Sequence, residues 1–206
     1  MGLSGQAVRL GVYGGAFDPP HIAHQALAQA AIKQLQLDQL LVLPTGQAWH
    51  KARQPSSVQH RLAMAQLAFA GVAKVQVDAR ETLRPGATYT IDTLNGLQVE
   101  NPGAELFLLM GADQFRAFSS WHRWQDIAGI ATICIAARAT SASAQSQNSM
   151  QNSAQTACKI QGIDMPAMDI SATELRERVS QGLRVDHLVN TDVARYIAQH
   201  HLYSNH

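Results

Sequence analysis

Five short apolar runs organise the first two-thirds of this chain. They are V-R-L-G-V-Y (8–13), L-L-V-L-P (40–44), V-Q-V-D (75–78), L-F-L-L-M-G (106–111) and I-A-T-I-C-I-A (130–136). Their apolar residues are nearly continuous rather than alternating. An alternating strand buries one face, whereas a continuous run buries both, as a parallel strand does when helices cover each side. Parallel neighbours need crossovers of a dozen residues or more, and the segments between the runs have helical spacing. Residues 21–36 carry Ile22, Leu27, Ala31 and Leu35. Residues 58–70 carry Val58, Leu62, Ala65 and Phe69, with Ser57 as N-cap and Gly71 as the stop. Residues 90–99 and 113–118 are weaker helical segments. This alternation predicts an α/β fold with a parallel sheet.

The last third changes character. Residues 139–158 hold no charged residue, and thirteen of the twenty are Ser, Thr, Asn or Gln. Such a segment buries too little apolar area to offset its ordering entropy, so it is expected to be a mobile polar loop. After it, I-S-A-T-E-L-R-E-R-V-S-Q-G predicts a helix capped by Ser171 and ended at Gly182. A second helix is expected over 191–199. No internal repeat is present, and residues 1–206 are expected to form a single domain whose residues 170–206 are a small C-terminal helical part.

Composition narrows the partners. With 16 Lys+Arg against 15 Asp+Glu, the net charge is +1. A protein that coats nucleic acid needs a basic excess, so that class is excluded. Two cysteines, Cys134 and Cys158, make no disulfide framework and point to a reducing compartment. No run reaches the roughly 18–20 apolar residues of a membrane helix, and the N-terminus lacks a signal-peptide pattern. Met1-Gly2 fails as a myristoylation site because position 6 is Gln6. The expectation is a cytoplasmic protein without nucleic-acid or membrane partners; a homo-oligomer stays open.

Chemistry concentrates in G-V-Y-G-G-A-F-D-P-P-H-I-A-H (11–24). A strand runs into Gly14-Gly15, where the missing side chains let backbone approach a ligand closely. Pro19 and Pro20 lead into a helix that begins near His21. His21 and His24, three residues apart, share a face of the first turn. Unpaired N–H groups and the positive dipole end already favour an anion there. The parts describe a phosphate cradle with two imidazole donors. Half a zinc site and a plain tight turn are the competing readings; the first lacks a nearby second ligand pair, and the second leaves the histidines unexplained. The dinucleotide fingerprint, the Walker A loop and G-x-S-x-G are absent. A second segment, I-S-A-T-E-L-R (170–176), reads either as an ordinary capping box or as another anion-facing helix N-terminus with an arginine.

G-G-A-F-D-P-P-H-I-A-H resembles the G-G-x-F-D-P-x-H-x-G-H signature of the nucleotidyltransferases with a His-x-x-His ATP site, and I-S-A-T-E-L-R resembles their I-S-x-T-x-x-R motif. P-T-G-Q-A-W-H-K (44–51), E-T-L-R-P-G-A-T-Y-T-I-D-T-L (81–94), G-A-D-Q-F (111–115) and W-H-R-W (121–124) are similar in order and spacing to bacterial nicotinate-nucleotide adenylyltransferases. The resemblance spans about residue 8 to Tyr203, with 139–168 as its poor patch.

That resemblance implies a Rossmann-like, doubly wound sheet and adenylyl transfer from ATP to nicotinate mononucleotide, with Mg²⁺ carried by ATP. It implies His21, His24 and Arg176 as catalytic residues. Gly14, Gly15, Phe17, Lys51, Gly111, Asp113, Ser171 and Thr173 would bind ATP; Ala16, Tyr89, Thr90 and Trp121 would bind the mononucleotide. No protein metal cage is implied. His50, His60, His122, His200 and His201 read as structural or surface residues. The chain departs from the family pattern at Ala16, Ala23, Ala172 and Asn190, and none of these removes a group assigned to catalysis. Three alternatives remain: the same chemistry on nicotinamide mononucleotide or another phosphorylated acceptor, a non-catalytic nucleotide-binding regulator, and an RNA-binding protein. The last lacks both basic excess and interleaved aromatics.

Overall fold

The computed structural model describes residues 7–46, 55–138 and 158–204. Its strands are β1 (Arg9–Gly15), β2 (Gln39–Pro44), β3 (Val75–Val77), β4 (Glu105–Met110), β5 (Ala131–Arg138) and β6 (Ile160–Met165). Its helices are α1 (Ile22–Gln34), α2 (Val58–Phe69), α3 (Arg80–Leu83), α4 (Thr90–Glu100), α5 (Ala112–Arg116), α6 (Trp124–Ile130), α7 (Ala172–Ser180) and α8 (Thr191–Gln199), with a 3-10 turn at Phe118–Ser120.

The strands form one sheet in the order β3-β2-β1-β4-β5-β6. It is the expected α/β, Rossmann-like parallel sheet. β4 runs parallel to both neighbours, with Tyr13 opposite Leu109 and Leu109 opposite Cys134. Strand order reverses between β1 and β4.

All five expected strands form, within two residues of their predicted ends. Leu106 through Met110 are each buried, as are Leu40 through Leu43, so both faces of β4 and β2 are covered. β6 was not predicted. Its I-Q-G-I-D-M buries only Ile163 fully, because an edge strand needs fewer apolar residues. The loop expected at 139–158 lies outside the described residues except for Cys158.

Two compact units make up the chain. One comprises residues 1–13, 30–41 and 89–166. In it, Leu106, Leu108, Ile133, Ile91, Leu94 and Ile127 are buried. Arg9 ties several of its pieces together: Nε donates to the Leu35 carbonyl at 2.8 Å, Nη1 lies 2.5 Å from Glu105, and the guanidinium sits 4.5 Å over the Phe107 ring. The Gln34 carboxamide takes both backbone groups of Asp164 on β6, at 2.6 and 3.0 Å.

The other unit comprises residues 14–29, 42–88 and 167–206. Here Met64, Ala65, Ala68 and Phe69 of α2 and Val193 and Ile197 of α8 are buried. The α2 stripe is rotated from the predicted one: Val58 and Leu62 are half-buried, and Arg61 takes the interior position instead. Ser57 caps α2 as expected, accepting from the His60 N–H at 3.3 Å. Gly71 has no left-handed role; α2 ends through Ala70 in helical conformation. Gly182, with φ +71, does supply the left-handed turn after α7. Asn190 caps α8, accepting from Asp192 N–H at 2.8 Å. Among the described residues, no helix is long and apolar enough to cross a membrane.

Candidate functional site

β1 runs out into a loop whose shape depends on small residues. A Cβ on Gly15 would sit 3.1 Å from the Phe17 ring. Phe17 itself has φ +48, a left-handed conformation costly for an aromatic residue. It persists because the surroundings hold it. The ring is buried, edge-on to Phe69 at 5.9 Å and to His24 at 5.1 Å. The next residue, Asp18, is 4% exposed; its carboxylate accepts from the Tyr203 hydroxyl at 2.7 Å and the Ser56 N–H at 3.1 Å. Burial pushes the Asp18 carboxyl up, but Tyr203, Ser56 and Arg176 pull it down by more, so the net shift is downward.

Helix α1 starts at Ile22, so His21 stands at its N-cap and not inside its first turn. Its backbone N–H donates to Nδ1 of His24 at 3.1 Å. This is the return bond of a capping box, made here by an imidazole in place of a glutamate. An Nδ1 that accepts a hydrogen bond places the proton of neutral His24 on Nε2. The two rings lie 3.7 Å apart, tilted by 31°. His21 is 7% exposed, and its Nδ1 is buried without a hydrogen-bond partner. Burial lowers the His21 pKa to about 4. Burial, then the charge of His21, lowers that of His24 well below 6.5. The unliganded pair is therefore neutral near pH 7.

The second segment meets the first. Ser171 caps α7, its hydroxyl accepting from Glu174 N–H at 3.1 Å. Arg176, one turn further, donates from Nη1 to the Asp18 carbonyl at 2.8 Å and from Nη2 to Thr173 Oγ1 at 3.0 Å. Gly14, Gly15, Ala16, Phe17, His21, His24, Ser171, Thr173 and Arg176 thus all belong to one unit, and Arg176 is bonded to the loop that carries the histidines.

Arg61 was missed from sequence. It is 1% exposed, and all three of its donor groups bond backbone carbonyls: Nε to Ser56 at 3.0 Å, Nη1 to Ala16 at 3.0 Å and Nη2 to Gly46 at 3.1 Å. The signal was present, since Arg61, Met64, Ala65 and Ala68 follow i, i+3, i+4, i+7, which puts an arginine on the buried stripe.

Gly111, Asp113, Tyr89, Thr90 and Trp121 lie in the other unit. Gly111 caps α5, and Asp113 is exposed in its first turn. Tyr89, 38% exposed, stands at the N-cap of α4, and Thr90 begins that helix. Trp121 is half-buried, edge-on to Phe118 at 5.6 Å. His122, read from sequence as a structural or surface residue, is exposed and packs on the Tyr89 ring with centroids 4.3 Å apart. Lys51 lies outside the described residues. Among the described residues, no group of three or more His, Cys, Asp or Glu side chains could hold a metal ion.

The comparisons agree with one another. Residues 12–178 match the cytidylyltransferase-like family. A protein of Albidiferax ferrireducens named as a probable nicotinate-nucleotide adenylyltransferase is 51% identical over 195 residues, covering 95% of this chain and 98% of that protein. One of Methylibium petroleiphilum with the same name is 37% identical, covering 95% and 92%. Among solved structures, a Plasmodium falciparum nicotinic acid mononucleotide adenylyltransferase complexed with NaAD superposes with a TM-score of 0.76 at 18% identity. It covers 95% of this chain and 97% of that one, a likeness of fold. This chain belongs to the cytidylyltransferase-like family and, within it, to the nicotinate-nucleotide adenylyltransferases.

Proposed function

We propose that this chain transfers the adenylyl group of MgATP to nicotinate mononucleotide, giving nicotinate adenine dinucleotide and pyrophosphate. A phosphate oxygen of the mononucleotide attacks the α-phosphorus in line, the bond to the β-phosphate oxygen breaks, and pyrophosphate leaves. The names of the relatives support the substrate assignment, and the observation that carries the chemistry is the His21–His24 pair at the N-terminus of α1.

No covalent intermediate is needed, so the protein must align two anions and stabilise charge as it develops. His24 Nε2–H donates toward phosphate, its tautomer set by the His21 N–H. His21 brings a buried ring nitrogen that the protein leaves unpaired. An unmade hydrogen bond of this kind costs about 1–3 kcal/mol, which a phosphate oxygen would relieve. A neutral imidazole donates through its one N–H, and an anion beside it raises its pKa. Arg176, Ser171 and Thr173 hold the phosphates that leave, with Lys51 adding charge. The Gly14–Phe17 backbone lies under both nucleotides. Gly111 and Asp113 serve the adenosine side, and Tyr89, Thr90 and Trp121 receive the pyridine ring and its carboxylate. The magnesium ion comes with ATP on phosphate oxygens and water. Residues 1–206 work as one nucleotidyltransferase domain in the cytoplasm, where Cys134 and Cys158 stay free thiols.

The test follows the label. With ATP labelled at the α-phosphorus, the dinucleotide should carry the label; with ATP labelled at the γ-phosphorus, pyrophosphate should. Nucleotide binding without either product would leave the chain a regulator and not an enzyme.

A further inference from the structure

Arg61 is an expensive way to fill the interior of α2. A guanidinium withdrawn from water gives up its hydration, and the Asp18 charge near Arg61 offsets only part of that loss. Its partners are three neutral carbonyls from separate stretches of chain: Ala16 in the loop after β1, Gly46 after β2, and Ser56 just before α2. Packing alone would be served as well by methionine or leucine. What only arginine offers is a rigid planar fork that brings three acceptors into one plane.

The bond to Ala16 has a further effect. In a trans peptide the C=O and the following N–H point in opposite directions. A guanidinium that holds the Ala16 carbonyl therefore turns the Phe17 N–H away from Arg61. The same residue carries the strained φ of +48. On its other side, the Asp18 carbonyl is held by Arg176. The loop is fastened before and after its strained residue, and three residues after Asp18 comes His21.

We propose that Arg61 is a positioning residue for adenylyl transfer: by gathering the carbonyls of Ala16, Gly46 and Ser56, it aims the Phe17 N–H and the loop bearing His21 at the transferring phosphate. The proposal rests on the activity proposed above. It predicts an effect on kcat rather than on substrate binding, because loss of aim is felt where reacting atoms must align. A misplacement of about 1 Å lowers rate on the order of 10²-fold.

The test uses the full-length wild type, R61K and R61Q, with thermal melting beside steady-state pyrophosphate release from MgATP and nicotinate mononucleotide. R61K keeps the charge but not the fork. It should melt cooperatively, lose roughly 10- to 100-fold in kcat, and keep both KM values within about threefold. A folded R61K with kcat within about twofold of wild type, or with its loss confined to KM, overturns the proposal. A wild type that makes no dinucleotide overturns the activity, and this proposal with it. Should both variants unfold, the wild-type amide spectrum decides. Adding a non-hydrolysable ATP analogue should shift the Phe17 N–H resonance and leave the Arg61 Nε–H in place. A Phe17 N–H indifferent to the nucleotide refutes the assignment.

Discussion

The N-termini of α1 and α7 carry the side chains assigned to phosphate, and they are capped in opposite ways. At α7 an exposed serine caps the helix and an arginine reaches across from the next turn. At α1 the cap is a buried histidine whose backbone is secured by a second histidine. One end offers permanent charge near water; the other offers neutral donors held almost dry. A chain of net charge +1 has no long-range field to draw in two polyanions. In the proposed mechanism the difference divides the labour: charge at α7 to hold what leaves, aim at α1 to stabilise what forms.

Breaking the aimed end should have the larger effect. His21→Ala is expected to lower kcat by roughly 10²–10³-fold, the loss for one preorganised transition-state donor, measured as pyrophosphate release at saturating substrates. The same end should show in stability. His21 falls from 6.5 to about 4 in the folded protein. Between those values the unfolded chain binds a proton that the folded one refuses, so stability is complete above about 6.5 and drains away as pH falls toward 4. The linked free energy is about 3 kcal/mol. Melting of the unliganded protein across that window should reveal it, with a shallower slope in the His21→Ala variant. Asp18, whose pKa is also lowered, acts with the same sign in a lower window: its share is present above the ordinary carboxylate value of 3.8 and is lost below it.

The charged end is expected to yield less. Arg176→Ala removes a charge-assisted contact of about 1.5–3 kcal/mol, or roughly 10- to 100-fold in kcat/KM for ATP. Ser171→Ala should lose about 1 kcal/mol of stability by denaturant titration, the usual loss for a helix N-cap. If Ser171→Ala proved as damaging to turnover as His21→Ala, the division of labour would be wrong.

How much of this was legible beforehand follows from burial. Continuous apolar runs revealed β1 to β5, because both their faces are covered. β6 stayed hidden because it is an edge strand with Gln161 and Asp164 among its residues, and α6 because seven residues carry little periodicity. In the site, the G-G-A-F-D-P-P-H-I-A-H motif disclosed the cradle, but not that His21 caps the helix, since one residue of offset is decided by backbone geometry. Arg61 was passed over for a physical reason. A polar side chain in a helix reads as solvated until tertiary structure puts carbonyls around it, as at Arg61.

The central claim is adenylyl transfer to nicotinate mononucleotide, and parallel assays with two acceptors test it most directly. Given MgATP and either nicotinate or nicotinamide mononucleotide, the protein should release pyrophosphate with the carboxylate form at a kcat/KM about tenfold higher or more. Equal rates, a preference for the amide, or no pyrophosphate with either acceptor would contradict the account.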